Sequence, residues 1–356
     1  MDFAEAQGAI LSLLGQVSSD ALPKVIHWMK TSTALSLLAF MKLLFLYWYL
    51  LVLFDAKEHC RHLSKRGIRY PFNFTGCECP RGDTWKCELE DLTTSNNDII
   101  LKSISEDLRS CLPVEAMVGT ESRTMQVIRN LKTPTVHVDA FLYDEEAVDS
   151  LCAEGKMSRN YCLSCGSKNT APLDFLSHSF SLPELRFLFQ NALPDLAGKT
   201  LLDVGSRLGA VLYVGYVYSS ASHLYGVEMN AEFCNLQEKI IQKYQFEDRI
   251  KVYQADICNQ KALLQEADVV VLNNVFEYFL EKEEQAKAWT FLNENLRKKG
   301  SLLITVPTLK ESLGKLQLNI NVDHWVEEVD LDLDHVYLRE EVDEQAHSDI
   351  HLYCVR

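Results

Sequence analysis

Thr200-Leu201-Leu202-Asp203-Val204-Gly205-Ser206-Arg207-Leu208-Gly209 is the stretch that decides the fold. Four of its first five residues are apolar or β-branched, as expected of a strand buried on both faces of a parallel sheet. The strand runs straight into a glycine turn, and the residues after Gly209 read as a helix. Glycines at such a turn let the backbone approach a ligand, and the helix N-terminus behind it offers unpaired N–H groups to an anion.

The same alternation extends on both sides. Leu185 to Leu193 reads as a helix stopped by Pro194. Leu224-Tyr225-Gly226-Val227-Glu228 is a second strand, and its terminal carboxylate can accept both hydroxyls of a ribose. Ile250 to Gln254 is a third strand, followed by Ala255-Asp256-Ile257. A fourth runs from Asp268 to Leu272 into Asn273-Asn274-Val275-Phe276-Glu277, and a fifth runs from Gly300 to Val306. Strands alternating with helices predict an α/β domain with a mainly parallel sheet and helices on both faces.

This ordered series resembles the class I, Rossmann-like S-adenosylmethionine-dependent methyltransferase family over roughly residues 185–356. The resemblance implies a seven-stranded sheet and S-adenosyl-L-methionine as cofactor. It puts Asp203 near the methionine moiety, with Gly205 and Gly209 forming the turn beneath it. Glu228 would take the ribose and Met229 the adenine face. Asp256 and the Ile257 N–H would meet the adenine edge, and Asn273 would line the methionine end. Arg207 departs from the pattern, since the family often has glycine there; it would either crowd the pocket or pair with the cofactor carboxylate. A nicotinamide-binding turn needs G-x-G-x-x-G, and Arg207 occupies its middle glycine, so a dehydrogenase fits less well.

Methyl transfer is an in-line displacement that asks mainly for positioning, and sometimes for a base. Two ionisable candidates stand near the expected centre. Glu277 follows the fourth strand, where a carboxylate at a helix N-terminus is the plainer reading. His178, in Leu176-Ser177-His178-Ser179, precedes the domain and would reach over the cofactor unless it is simply structural.

Toward the N-terminus, residues 34–54 form an apolar run with Lys42 as its only charge. At about 1.5 Å per residue it is long enough for a hydrocarbon core of about 30 Å. A buried or oligomer-forming helix is the alternative, and Lys42 favours it. The basic residues Lys57, Arg61, Lys65, Arg66 and Arg69 follow the run, so an anchored chain would hold its bulk in the cytosol. The expected location is therefore membrane-associated and facing the cytoplasm, or else soluble in the cytoplasm. The sequon at Asn73 would then go unglycosylated. The expected organisation is an N-terminal segment 1–33, the apolar helix 34–54, a basic, cysteine-containing linker 55–97, a helical and mixed accessory region 98–180, and the methyltransferase domain 181–356. Within the accessory region, residues 98–118 read as helix and 136–143 as strand, and Asp144 reads as the cap of the next helix.

Eleven cysteines in 356 residues are too sparse for a disulfide scaffold. Cys162-Leu163-Ser164-Cys165-Gly166-Ser167 has the spacing of half a zinc knuckle, with Cys152 and His178 as further candidate ligands. Without a second knuckle, a glycine turn with two free thiols is the alternative. The net charge of −15 is concentrated between Asn321 and Asp349, where eleven acids face the single Arg339. No basic cluster argues for nucleic acid. Two functions from different classes remain. One is a methyltransferase acting on a small molecule or protein; the other is a methyltransferase-like platform that binds partners without turnover.

Overall fold

Along the central strands, successive side chains enter two different cores. Leu201, Val269, Val271 and Ile304 are buried in one cluster, while Leu202, Val204, Val270, Leu272 and Leu303 are buried in the other. A period of two with apolar residues on both faces requires cover on both faces, and helices supply it.

The computed structural model describes residues 84–164, 166–330 and 349–356. The apolar run 34–54, the basic stretch after it, Asn73, Cys165 and most of the acidic C-terminal segment lie outside these residues. Among the described residues no helix is long and apolar enough to cross a membrane.

The first described elements are α1 (Thr84–Cys111), α2 (Ser122–Arg129), β1 (Thr135–His137), α3 (Glu145–Ala153), β2 (Asn160–Cys162), β3 (Thr170–Pro172) and β4 (Asp174–Leu176). The Rossmann-like part follows as α4 (Leu182–Phe187), β5 (Thr200–Val204), α5 (Ala210–Tyr218), β6 (His223–Glu228), α6 (Ala231–Tyr244), β7 (Ile250–Gln254), α7 (Lys261–Glu266) and β8 (Val269–Asn273). It closes with α8 (Lys282–Asn295), β9 (Leu302–Val306), α9 (Leu309–Gly314), α10 (Val322–Trp325), β10 (Val326–Val329) and β11 (His351–Val355). The seven-stranded sheet has the order β10-β11-β9-β8-β5-β6-β7. Strands β9 to β7 pair in parallel, and β11 and β10 add antiparallel at one edge. The chain steps outward from β5 through β6 to β7, then returns to the other side of β5 as β8. The crevice beyond the carboxyl ends of β5 and β8 is therefore the topological switch point, where open α/β sheets bind ligands.

Three expectations need correction. The linker expected to reach residue 97 becomes helical at Thr84, because no proline or glycine interrupts the chain from there to Pro113. The helix expected over residues 98–118 ends at Cys111, ahead of Pro113, and buries Leu101, Ile104 and Leu108. The strand expected over residues 136–143 ends at His137, because the Asp139 carboxylate accepts from the Phe141 and Leu142 N–H groups and bends the chain. Asp144 does cap α3, accepting from the Ala147 N–H at 2.8 Å.

The accessory residues do not form a separate body. Residues 83–356 make one compact unit, and Leu101, Leu108, Phe141 and Leu142 share a core with Leu185, Leu212 and Ile240.

Candidate active site at the switch point

Asp203 is the next-to-last residue of β5 and is 4% exposed. Burial, and secondly the nearby Glu228 carboxylate, push its pKa well above the ordinary carboxylate range. The chain then turns through Gly205 at φ +72°, Arg207 at +45° and Gly209 at +84°. A Cβ on Gly205 would stand 2.9 Å from Val275 Cγ2, and one on Gly209 would stand 2.7 Å from the Tyr213 ring. Both glycines are thus required by backbone angle and by space.

Glu228 ends β6 and faces this turn. Its Oε2 accepts from the Arg207 N–H at 2.9 Å, and its Oε1 accepts from the Asn230 N–H at 2.8 Å. Burial raises its pKa, and these two N–H groups oppose the rise. Each carboxylate oxygen retains a lone pair, so the group can still accept two hydroxyls. Met229, beside it, is 61% exposed, an unusual position for a large apolar side chain unless something covers it. Asp256 accepts the Cys258 N–H at 2.8 Å and caps the short turn holding Ile257. Asn273 ends β8, and its Oδ1 accepts from Asn274 Nδ2 at 3.0 Å. The residues expected from the sequence thus stand at the ends of β5, β6 and β8 and just beyond β7, all on one edge of the parallel sheet.

Arg207 takes neither of the roles expected for it. Its guanidinium is buried and held by Glu121 Oε1 at 3.2 Å, Asp139 Oδ2 at 2.7 Å and the Ala116 carbonyl at 2.7 Å. The guanidinium also lies 5.2 Å from the Phe233 ring centroid. Behind it, Gln237 Nε2 donates to the Arg207 carbonyl, and Gln237 Oε1 accepts from Ser206 Oγ. The turn is therefore fixed from both sides. Arg207 clamps it to the accessory residues, which the sequence alone left unconnected to the site. The only advance signal was a charged residue standing where a glycine was expected.

His178 is brought to the same crevice. Its ring centroid lies 4.7 Å from Tyr278 and 5.0 Å from Phe279, both on the segment after β8. A third neighbour is His137, at 4.8 Å, which the sequence reading missed. Glu277 is turned to local use, its Oε2 accepting from the Phe276 N–H at 3.2 Å. Cys162 is exposed, and its thiol donates to the Ser167 carbonyl at 3.2 Å. Among the described residues no three His, Cys, Asp or Glu side chains gather to hold a metal, so the zinc expectation gains no support.

Residues 202–304 match the family model described as a methyltransferase domain. No curated protein matches the chain. Among solved structures, the chain is similar to an RNA methyltransferase from Salinibacter ruber in complex with S-adenosyl-L-homocysteine. That protein is 18% identical over 48% of this chain and 88% of its own, with a TM-score of 0.31. An Escherichia coli protein provisionally described as a methyltransferase is 16% identical over 48% of this chain and 85% of its own, with a TM-score of 0.33. Likenesses this distant say nothing about the acceptor.

Proposed function

We propose that this chain, whose residues 202–304 match the methyltransferase domain model, is a class I, S-adenosylmethionine-dependent enzyme that transfers a methyl group to a small-molecule or protein acceptor. The observation that carries this reading is the cradle itself. Two positive-φ glycines, a buried high-pKa carboxylate at Asp203 and a two-oxygen acceptor at Glu228 converge at the switch point. S-adenosylmethionine supplies an activated methyl on a sulfonium; the chain's own residues bind and orient. Asp203 faces the methionine end, where an ammonium would favour its ionised form. Glu228 holds the ribose, Met229 and Ile257 lie against the adenine, Asp256 meets its amino edge, and Asn273 lines the side nearest the acceptor. A platform without cofactor fits less well, because the guanidinium of Arg207 is already taken up by Glu121 and Asp139.

The test is a thermal shift with S-adenosylhomocysteine. Ligand at one hundred times its dissociation constant should add about 2.7 kcal/mol of stability. A folded sample with no shift at millimolar ligand would defeat the reading. Glu228→Ala offers a sharper check, since losing charge-assisted hydrogen bonds of about 1.5–3 kcal/mol each implies at least a tenfold weaker complex. Calorimetry on the variant should also find the domain folded. Unchanged affinity would mean that Glu228 does not touch the ribose.

We propose anchoring to the cytosolic face of a membrane on the sequence alone, from the apolar run 34–54 and the basic residues Lys57 to Arg69 that follow it. The full chain should stay in the membrane pellet through a carbonate wash, because salt and base remove surface attraction but not buried hydrocarbon. Release into the wash would favour a soluble cytoplasmic protein.

A further inference from the structure

Three buried imidazole nitrogens lie together with no hydrogen-bond partner: Nε2 of His137 and both ring nitrogens of His178. The two side chains are 1% and 5% exposed. A buried polar group without a partner costs about 1–3 kcal/mol, and folded proteins keep very few of them. Three in one ring pair, packed against the segment that follows β8, leave unused hydrogen-bonding capacity.

The chemistry of an occupant that would use it follows from the tautomers. The Glu115 carbonyl can only accept, so His137 Nδ1, at 2.8 Å from it, must carry the proton. Nε2 of His137 is then a bare lone pair. His178 presents one N–H and one lone pair in either tautomer. Burial first, and then the positive Arg207, lower the pKa of His137 to about 4. Burial first, then His137 and Arg207, lower that of His178 to about 2. At neutral pH the pair therefore offers two acceptors and one donor. The charged groups near it are Glu115 and the pair Arg207 and Asp139, which are joined to each other at 2.7 Å.

The place is equally specific. His178 lies against Tyr278 and Phe279 beyond β8, while its neighbour Ser179 donates from Oγ to Asp139 Oδ2, the carboxylate that holds Arg207 beyond β5. Thr124 Oγ1 in turn donates to the Tyr278 carbonyl. The pair thus spans the loops after β5 and β8, beside the turn that faces Glu228.

We propose that His137 and His178 form the methyl-acceptor subsite, which takes a planar acceptor through a neutral O–H or N–H group. Tyr278 and Phe279 supply aromatic walls. The bare lone pair of His137 accepts from the incoming O–H or N–H, and His178 completes the hydrogen bonding of the same group. A carboxylate or phosphate brings only lone pairs to this lone pair and is rejected. The assignment rests on the methyltransferase reading above.

The experiment uses the full chain labelled with 15N-histidine and saturated with S-adenosylhomocysteine. His137 and His178 ring signals are assigned with His137→Phe and His178→Phe. Phenol is added as the neutral probe and acetate as the anionic one, both at neutral pH. Phenol should move the His137 Nε2 signal toward its hydrogen-bonded position, and acetate should leave it in place. His178→Phe keeps an aromatic ring there, and should weaken the phenol response without changing affinity for S-adenosylhomocysteine. His178→Asn, which keeps a donor and an acceptor, should restore part of the response. The proposal falls if phenol and acetate act alike or if neither acts. It also falls if the ring signals sit at hydrogen-bonded positions before any probe is added, because a buried water would then fill the place. Failure of the unmodified chain to bind S-adenosylhomocysteine would instead count against the methyltransferase reading.

Discussion

Arg207→Ala is expected to lower the unfolding free energy of the chain by about 3–5 kcal/mol, the range for breaking a buried ion pair from one side. The size follows from what is left behind. Asp139 is fully buried and Glu121 nearly so, and both lose the only cationic partner they have among the described residues. Urea melts should show a lower midpoint with an unchanged slope, since the surface exposed on unfolding is the same. Three companion variants separate charge from conformation. Arg207→Lys keeps the charge but not the fork that serves two carboxylates and a carbonyl, so it should fall between. Arg207→Gly relieves the +45° φ and should be about 1 kcal/mol milder than alanine. Adding Glu121→Gln and Asp139→Asn to Arg207→Ala should recover part of the loss, because no uncompensated charge then remains buried. The clamp also bears on ligand binding, since the Arg207 N–H donates to Glu228. The alanine variant should therefore bind S-adenosylhomocysteine more weakly even when fully folded. A loss below about 1 kcal/mol would show that Arg207 contributes no more than an ordinary surface pair.

That clamp also marks where the sequence stops being legible. The central strands announce themselves, because β5 and β8 are short, mostly apolar runs buried on both faces, such as Val269-Val270-Val271-Leu272. The residues at their ends, Asp203, Glu228 and Asn273, could be placed because strand order fixes which edge they share. Arg207 is different. Its partners lie 86 and 68 residues earlier in the chain, in segments whose own patterns speak only of helix or strand. No periodicity links Glu121 or Asp139 to a turn so distant. His137 was invisible for the same reason, since one histidine at the end of a three-residue strand looks structural until it meets His178. The start of α1 was missed for an opposite reason. Trp85, Leu89 and Leu92 do stand at helical spacing, but they follow directly on a stretch rich in proline and glycine and were read with it as one linker.

Asp203→Asn is expected to make the ligand-free chain more stable and at the same time to remove most of its affinity for S-adenosylhomocysteine. The wild-type carboxyl is buried, and burial together with Glu228 raises its folded pKa well above the unfolded value. A carboxyl shifted in that direction favours the folded state most below the unfolded pKa, and the advantage is lost as pH rises through the folded pKa. At neutral pH the wild type therefore holds either an unfavourable buried charge or an extra proton, whereas asparagine requires neither. A gain of about 0.5–2 kcal/mol is the usual yield of removing such functional strain. Melts from acid to neutral pH should show wild type and variant converging at the acid end and separating as pH rises. Binding should run the other way. An ammonium on the ligand favours ionised Asp203, so wild-type affinity should increase with pH as the proton is displaced. The variant should lose that dependence along with at least tenfold in affinity, from a charge-assisted contact worth about 1.5–3 kcal/mol. A variant that binds as tightly as wild type would detach Asp203 from the ligand, and equal stability at all pH values would mean that its burial carries no cost.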